Sequence, residues 1–285
     1  MFTLVKPDKS NLNQLYMKAL LPIFTIILIS IFINAKGQSE PIEREWVKED
    51  SIFIGNLSKA YKTNPLNVEQ LLSCKGDKSE KLGFDYYLIG GSNGKGYVSI
   101  FYRFVYFKNK LVSYKLDPEM PTDTRLIERY LKFYSQLFNV SKDHLPEPLY
   151  FGYEEMIKPL NEFSGSFSSN KDIQFFMTPY SGIICGDYWG DPIILLNNRV
   201  VYLKIKKQIT PEICELLLYS KNPATRLTAI EYYYQNPQLF SKNKERFENR
   251  IKVIFNELPV VSTMSADLSS TENARDLVNT LIKIH

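Results

Sequence analysis

The chain has 285 residues, 44% hydrophobic and 23% charged, a balance that excludes a disordered or fibrous polypeptide. Its net charge of +4 is concentrated at the start: residues 1–37 hold Lys6, Lys9, Lys18 and Lys36 against Asp8, which leaves about +1 for the rest. A near-neutral body lacks the electrostatic footprint of a nucleic-acid binder.

The segment 17–38, "MKALLPIFTIILISIFINAKGQ", reads as an export signal beginning at Met17. Lys18 supplies the positive start, Ala19 to Ile33 an uncharged apolar run, and Ala35-Lys36-Gly37 the small residues of a cleavage site. The run is about fifteen residues, short of the roughly twenty that span a bilayer. The expected organisation is therefore a signal peptide over 1–37 with the true start at Met17, an α+β domain over 38–208 and a helical module over 209–285. Cleavage would leave no stable membrane span and place the protein in a periplasm or outside the cell. An uncleaved amino-terminal anchor is the alternative. The abundance of Lys, Asn, Ile and Tyr fits a bacterium of low GC content.

Beyond the leader, 46–64 reads as a helix and 65–74 as a second, short one, with Pro65 at its first turn. Residues 84–89 and 97–107 carry the aromatic and β-branched residues of strands, and 108–110 turns the chain into a third strand over 111–116. Between the first two lies "GGSNGKG", residues 90–96, which invites comparison with a phosphate loop. It fails on three counts: Ile89 stands where the first glycine belongs, Gly96 replaces the hydroxyl residue after Lys95, and a strand follows instead of a helix. A loop between strands is expected there.

Residues 121–138 show an apolar helical stripe through Leu126, Tyr130, Tyr134 and Phe138, expected to lie on one face of the sheet. A short helix follows near 154–160 and a polar surface loop over 164–172. A second β unit is expected: a strand at 173–178, a connection over 179–191, and a hairpin over 192–206 turning at Asn197-Asn198. From Thr210 onward the pattern is helical, over about 211–220, 223–235, 242–257 and 271–284. The break at Asn222-Pro223, with Leu227, Ala229 and Ile230 behind it, resembles one hairpin of the HEAT-like repeat class over about 211–236. That resemblance implies a helical cap or docking module; two hairpins are too few for a solenoid. The fold class expected is α+β: antiparallel sheet with packed helices, then an all-helical hairpin module.

Chemistry-bearing residues are sparse. There are two histidines, and His144 is the one placed to act as a base. "SGIICGDYWGDP" is the richest stretch: Cys185 as a thiolate with His144 and Asp187 would make a cysteine hydrolase. Asp187 and Asp191 could instead serve a carbohydrate-active site, which needs two carboxylates about 5 Å apart for retention. Tyr188 and Trp189 beside those acids also fit a glycan-binding surface without catalysis. No metal spacing is present and no cofactor is expected. Cys214 belongs to an apolar helical face, leaving Cys74 and Cys185 as the pair that could form a disulfide in an oxidising compartment. The leading expectation is an exported, non-enzymatic protein that binds a protein or glycan partner, with a secreted hydrolase as the alternative.

Overall fold

The computed structural model describes residues 43–284 apart from 75, 142, 144, 190–193, 266 and 267. The leader lies outside the described residues. Two compact units are present: residues up to Phe53 with Lys95–Tyr97, and Ile54–Gly94 with Val98–His285.

In the first unit, residues 43–53 are helical, the start of α1 (43–63). Asp50 is fully buried and its Oδ2 accepts the Tyr97 amide at 2.9 Å, while the Trp46 and Tyr97 rings meet edge-on at 5.4 Å. A Cβ at Gly96 would approach Asp50 Oδ2 to 2.7 Å, and its φ of +50° is left-handed. The glycine is there for close approach, as a backbone turn requires.

The second unit is α+β. After Asn64 caps a 3-10 turn at Pro65–Asn67, α2 (Val68–Leu72) leads to a five-stranded antiparallel sheet in simple sequential order. Its strands are β1 (Lys78–Gly83), β2 (Tyr86–Asn93), β3 (Ser99–Phe107), β4 (Lys110–Glu119) and, after α3 (Ile127–Tyr134), β5 (Leu149–Phe151). Gly90 to Asn93 extend β2 rather than forming the expected loop, because Gly91 lets the Tyr102 ring cross: a Cβ there would fall 2.6 Å from Tyr102 Oη. Phe84 and Asp85, expected in a strand, instead make the β1–β2 turn with φ of 56° and 64°.

Helices cover both faces of this sheet, not one. On the first face Tyr106 donates to Glu69 Oε1 at 2.5 Å and Tyr114 to the Pro65 carbonyl at 2.9 Å, fastening the segment that contains α2. On the second, Leu82, Leu88 and Val105 pack with Met156 of α4 (Tyr153–Ile157) and with Tyr180. The alternation of side chains along β3 makes this possible, since successive residues serve opposite faces.

The expected second β unit is largely helical. Residues 173–178, read as a strand, belong to α5 (Lys171–Met177), which Asn170 caps by accepting from Asp172 N at 2.8 Å and Ile173 N at 3.3 Å. Its buried residues Ile173, Phe176 and Met177 follow helical spacing. A two-residue pair, β6 (Tyr188–Trp189) with β7 (Ile194–Leu195), follows. Asn197-Asn198, expected as a hairpin turn, opens α6 (Asn197–Ile205), whose Asn198, Tyr202 and Ile205 are buried at intervals of three and four.

Beyond α6 come α7 (Pro211–Leu218), α8 (Pro223–Gln235), α9 (Lys244–Glu257) and α10 (Ala274–Ile284). Between α9 and α10 the chain makes a hairpin of β8 (Val260–Ser265) and β9 (Leu268–Asn273), so this stretch is not wholly helical as expected. Every residue of α8 from Pro223 to Tyr233 is buried, which makes it the axis of the helical layer. One apolar core runs from Ile173 and Phe176 through Tyr202, Leu217 and Ile230 to Leu281. The boundary expected after residue 208 therefore falls inside continuous packing.

Candidate functional site

The residues nominated around Cys185 are held by three elements: the connection after α5, the start of α6 and strand β8. Cys185 donates its amide to the Ser262 carbonyl at 2.9 Å and pairs with Thr263 as an isolated bridge. It is 3% exposed, and burial pushes its thiol up to about 12. Burial of this kind favours the protonated thiol over the thiolate. Cys74 and Cys185 are both free, Cys74 exposed and Cys185 buried, so the expected disulfide is not formed. Cys214 is fully buried, with its sulfur 3.4 Å from the Ala229 carbonyl.

Asp187 serves an ion-pair chain. Its Oδ1 lies 2.5 Å from Arg199 Nε, and Arg199 grips Glu231 as a fork at 2.7 Å and 3.3 Å. All three side chains are almost fully buried. Burial disfavours the guanidinium charge, but Glu231 and then Asp187 hold the Arg199 proton above its ordinary range. The Arg199 guanidinium also stands 5.1 Å from the Tyr202 ring centre, and Gln235 donates to Glu231 at 3.2 Å. Asp187 therefore locks the connection onto α6 and α8.

His144 and Asp191 lie outside the described residues, so the Cys185–His144–Asp187 and Asp187–Asp191 groupings have no geometry here. For Trp189 the backbone pairing with Ile194 is described and the side chain is not. Tyr188 pairs with Leu195 and is 51% exposed, the one nominated aromatic ring seen to face solvent.

Next to these residues is a cavity of about 270 Å³, walled by Leu88, Ile183, Leu196 and Met264, with Arg103, Asn197 and Asn198 as polar groups. Its rim is built by hydrogen bonds. Asn222 Nδ2 donates to the carbonyls of Thr178 and Gly182, each at 2.9 Å, and to Ser181 Oγ at 3.0 Å. Asn222 also caps α8, its Oδ1 accepting from Ala224 N at 3.0 Å. Asn198 Nδ2 donates to Ser181 Oγ and Thr225 Oγ1, both at 3.2 Å. Gly182, with φ of +109°, approaches so closely that a Cβ would lie 3.2 Å from Asn198 N.

Sequence reasoning missed Arg103, Arg199, Glu231, Asn198 and Asn222. Arg103 did leave a signal, as the single charge in the strand "SIFYRFVYF". Asn198 and Arg199 were hidden by the reading of 192–206 as a hairpin, and Asn222 and Glu231 sit in helical sequence whose pattern does not mark a buried polar role.

Among the described residues no cluster of three or more His, Cys, Asp or Glu could hold a metal ion, and no helix is long and apolar enough to cross a membrane. No family model matches this chain, and neither does any curated protein or any solved structure.

Proposed function

We propose that this chain is an exported, non-enzymatic binding protein whose partner, protein or glycan, is met at the exposed Tyr188 ring of strand β6. The observation that carries the reading is how the nominated residues are used. Cys185 is buried and Asp187 is committed to Arg199, while Tyr188 in the neighbouring strand β6 stands half in solvent. An aromatic ring with a polar tip, held on a paired strand, suits stacking on a sugar face or a partner side chain. The resemblance of residues 211–236 to a HEAT-like hairpin supports reading α7–α8 as a docking module. Export rests on the sequence of residues 17–38, whose apolar run is brief and ends in small residues.

The test is retention on immobilised envelope polysaccharide and on immobilised envelope proteins, comparing the native chain with Tyr188→Ala. The variant should keep its circular dichroism and lose retention on one of the two supports; equal retention on both would sink the proposal. Rapid alkylation of Cys185 by iodoacetamide at neutral pH would return the hydrolase reading to favour. Amino-terminal sequencing of protein recovered outside the cytoplasm should begin near Gln38; an intact Met17 there would defeat cleavage.

A further inference from the structure

The cavity beside Gly182 is not the Tyr188 surface, and its chemistry points to a different ligand. We infer that it takes a small apolar carboxylic acid bearing a hydrogen-bond donor next to the carboxylate, such as a 2-hydroxy or 2-amino acid with a branched side chain.

Three observations converge. The first is Arg103, a half-buried cation in β3 that has no carboxylate partner among the described residues. Its described bond is from Nη1 to the Tyr180 carbonyl at 3.3 Å, which occupies one of five guanidinium donors. Its cross-strand neighbours do not neutralise it. Gly90 on one side has no side chain, and Lys115 on the other is itself a cation, paired at 2.8 Å with Asp117. A partly desolvated guanidinium so situated is completed by an anion, and carboxylates fit its fork.

The second is Asn198, 3% exposed, which lines the same cavity. Its amide donates from Nδ2 to Ser181 and Thr225, and its Oδ1 meets no donor among the described residues. Two fixed bonds hold the amide in one orientation, so the oxygen remains as an acceptor for a ligand hydroxyl or ammonium. A plain fatty acid would leave that acceptor unmatched. The start of α6 adds to the anion's side, because no side chain caps its first-turn amides.

The third is the wall. Leu88, Ile183, Leu196 and Met264 supply apolar surface around a volume near the low end of small-molecule sites. The space suits a branched or short aromatic side chain and no long acyl tail. Gly182 keeps it open, since any larger residue would crowd Asn198.

The test is calorimetric titration of the full chain with 2-hydroxy-4-methylpentanoate, leucine, 4-methylpentanoate and 4-methylpentanol. The first or second should bind best, the plain acid about tenfold more weakly, and the alcohol weakest. Arg103→Gln should lower affinity about tenfold or more, Arg103→Lys should recover part of it, and Met264→Trp should abolish binding by filling the space, all with unchanged circular dichroism. Equal binding of the acid and the alcohol, or no binding of any of the four, would overturn the inference. Because Tyr188→Ala should leave these titrations unchanged, failure here and failure of the surface reading are read separately.

Discussion

Arg199 lies between Asp187 and Glu231 with its charge nearly out of water, and its own long side chain bridges α6 to α8. Removing one partner of such a set strands charge in the interior. Glu231→Ala should therefore destabilise the protein by about 3–5 kcal/mol, measured by urea unfolding. Alkaline pH tests burial at other residues. Burial raises the Cys185 thiol from 9.0 to about 12, and raises Tyr86 and Tyr150 from 10.0 to about 12, with nearby carboxylates adding for both tyrosines. A raised acid keeps its stabilising contribution below the unfolded pKa and loses it as pH climbs toward the folded one. The urea midpoint should hold up to about pH 9 and fall between pH 9 and 12; Tyr86→Phe should flatten the upper part of that decline. A Tyr86→Phe variant whose decline matches that of the native chain would contradict the assigned burial.

At the scale of elements, two turns of one geometry illustrate what sequence can disclose. Phe84-Asp85 and Lys108-Asn109 both take positive φ at two consecutive positions, joining β1 to β2 and β3 to β4. That conformation favours Asn-Gly and penalises bulky residues. The Lys108→Asn, Asn109→Gly double variant should raise stability by about 0.5–1 kcal/mol, seen as a higher Tm. Phe84→Gly should do the reverse despite relieving the same backbone. The Phe84 ring lies 5.0 Å from the Arg226 guanidinium and 4.7 Å from that of Arg250, two buried cations that lose a face when it goes. The β2–β4 strands, α1 and α7 to α10 were legible because their residues alternate or repeat at helical period. α5 and α6 were not. "IQFFMT" and "RVVYLKI" are short, rich in β-branched and aromatic residues, and ambiguous in period. What decides them is a local cap from Asn170 at α5 and, for both helices, nonlocal burial in the core shared with α8. The β8–β9 hairpin was lost for the opposite reason, its polar strand "LSSTEN" being exposed along its whole length.

For the whole molecule, the decisive fact is that the core does not stop at residue 208. Ile173, Phe176, Tyr202 and Ile205 pack in the same cluster as Leu217, Ile230 and Phe247. A fragment beginning at Ile209 would expose the surfaces those four cover. It should show the poorly dispersed amide spectrum of an unfolded or molten chain, while the full second unit unfolds in one transition by circular dichroism and fluorescence. The α+β class was visible in the order of periodic segments, yet the cavity was not. Its parts come from β2, β3, α6 and β8, far apart in sequence, and local spacing is blind to such convergence. The stretch around Cys185 drew notice through residue types that catalysts share with structural braces. Their burial shows only once the chain is folded.

Of three cysteine thiols, two are walled in and the third, Cys74, stands open at the foot of α2. A chemist holding this protein thus has a single addressable handle supplied by nature. A maleimide dye or a spin label would attach there without mutagenesis, leaving the interior thiols untouched.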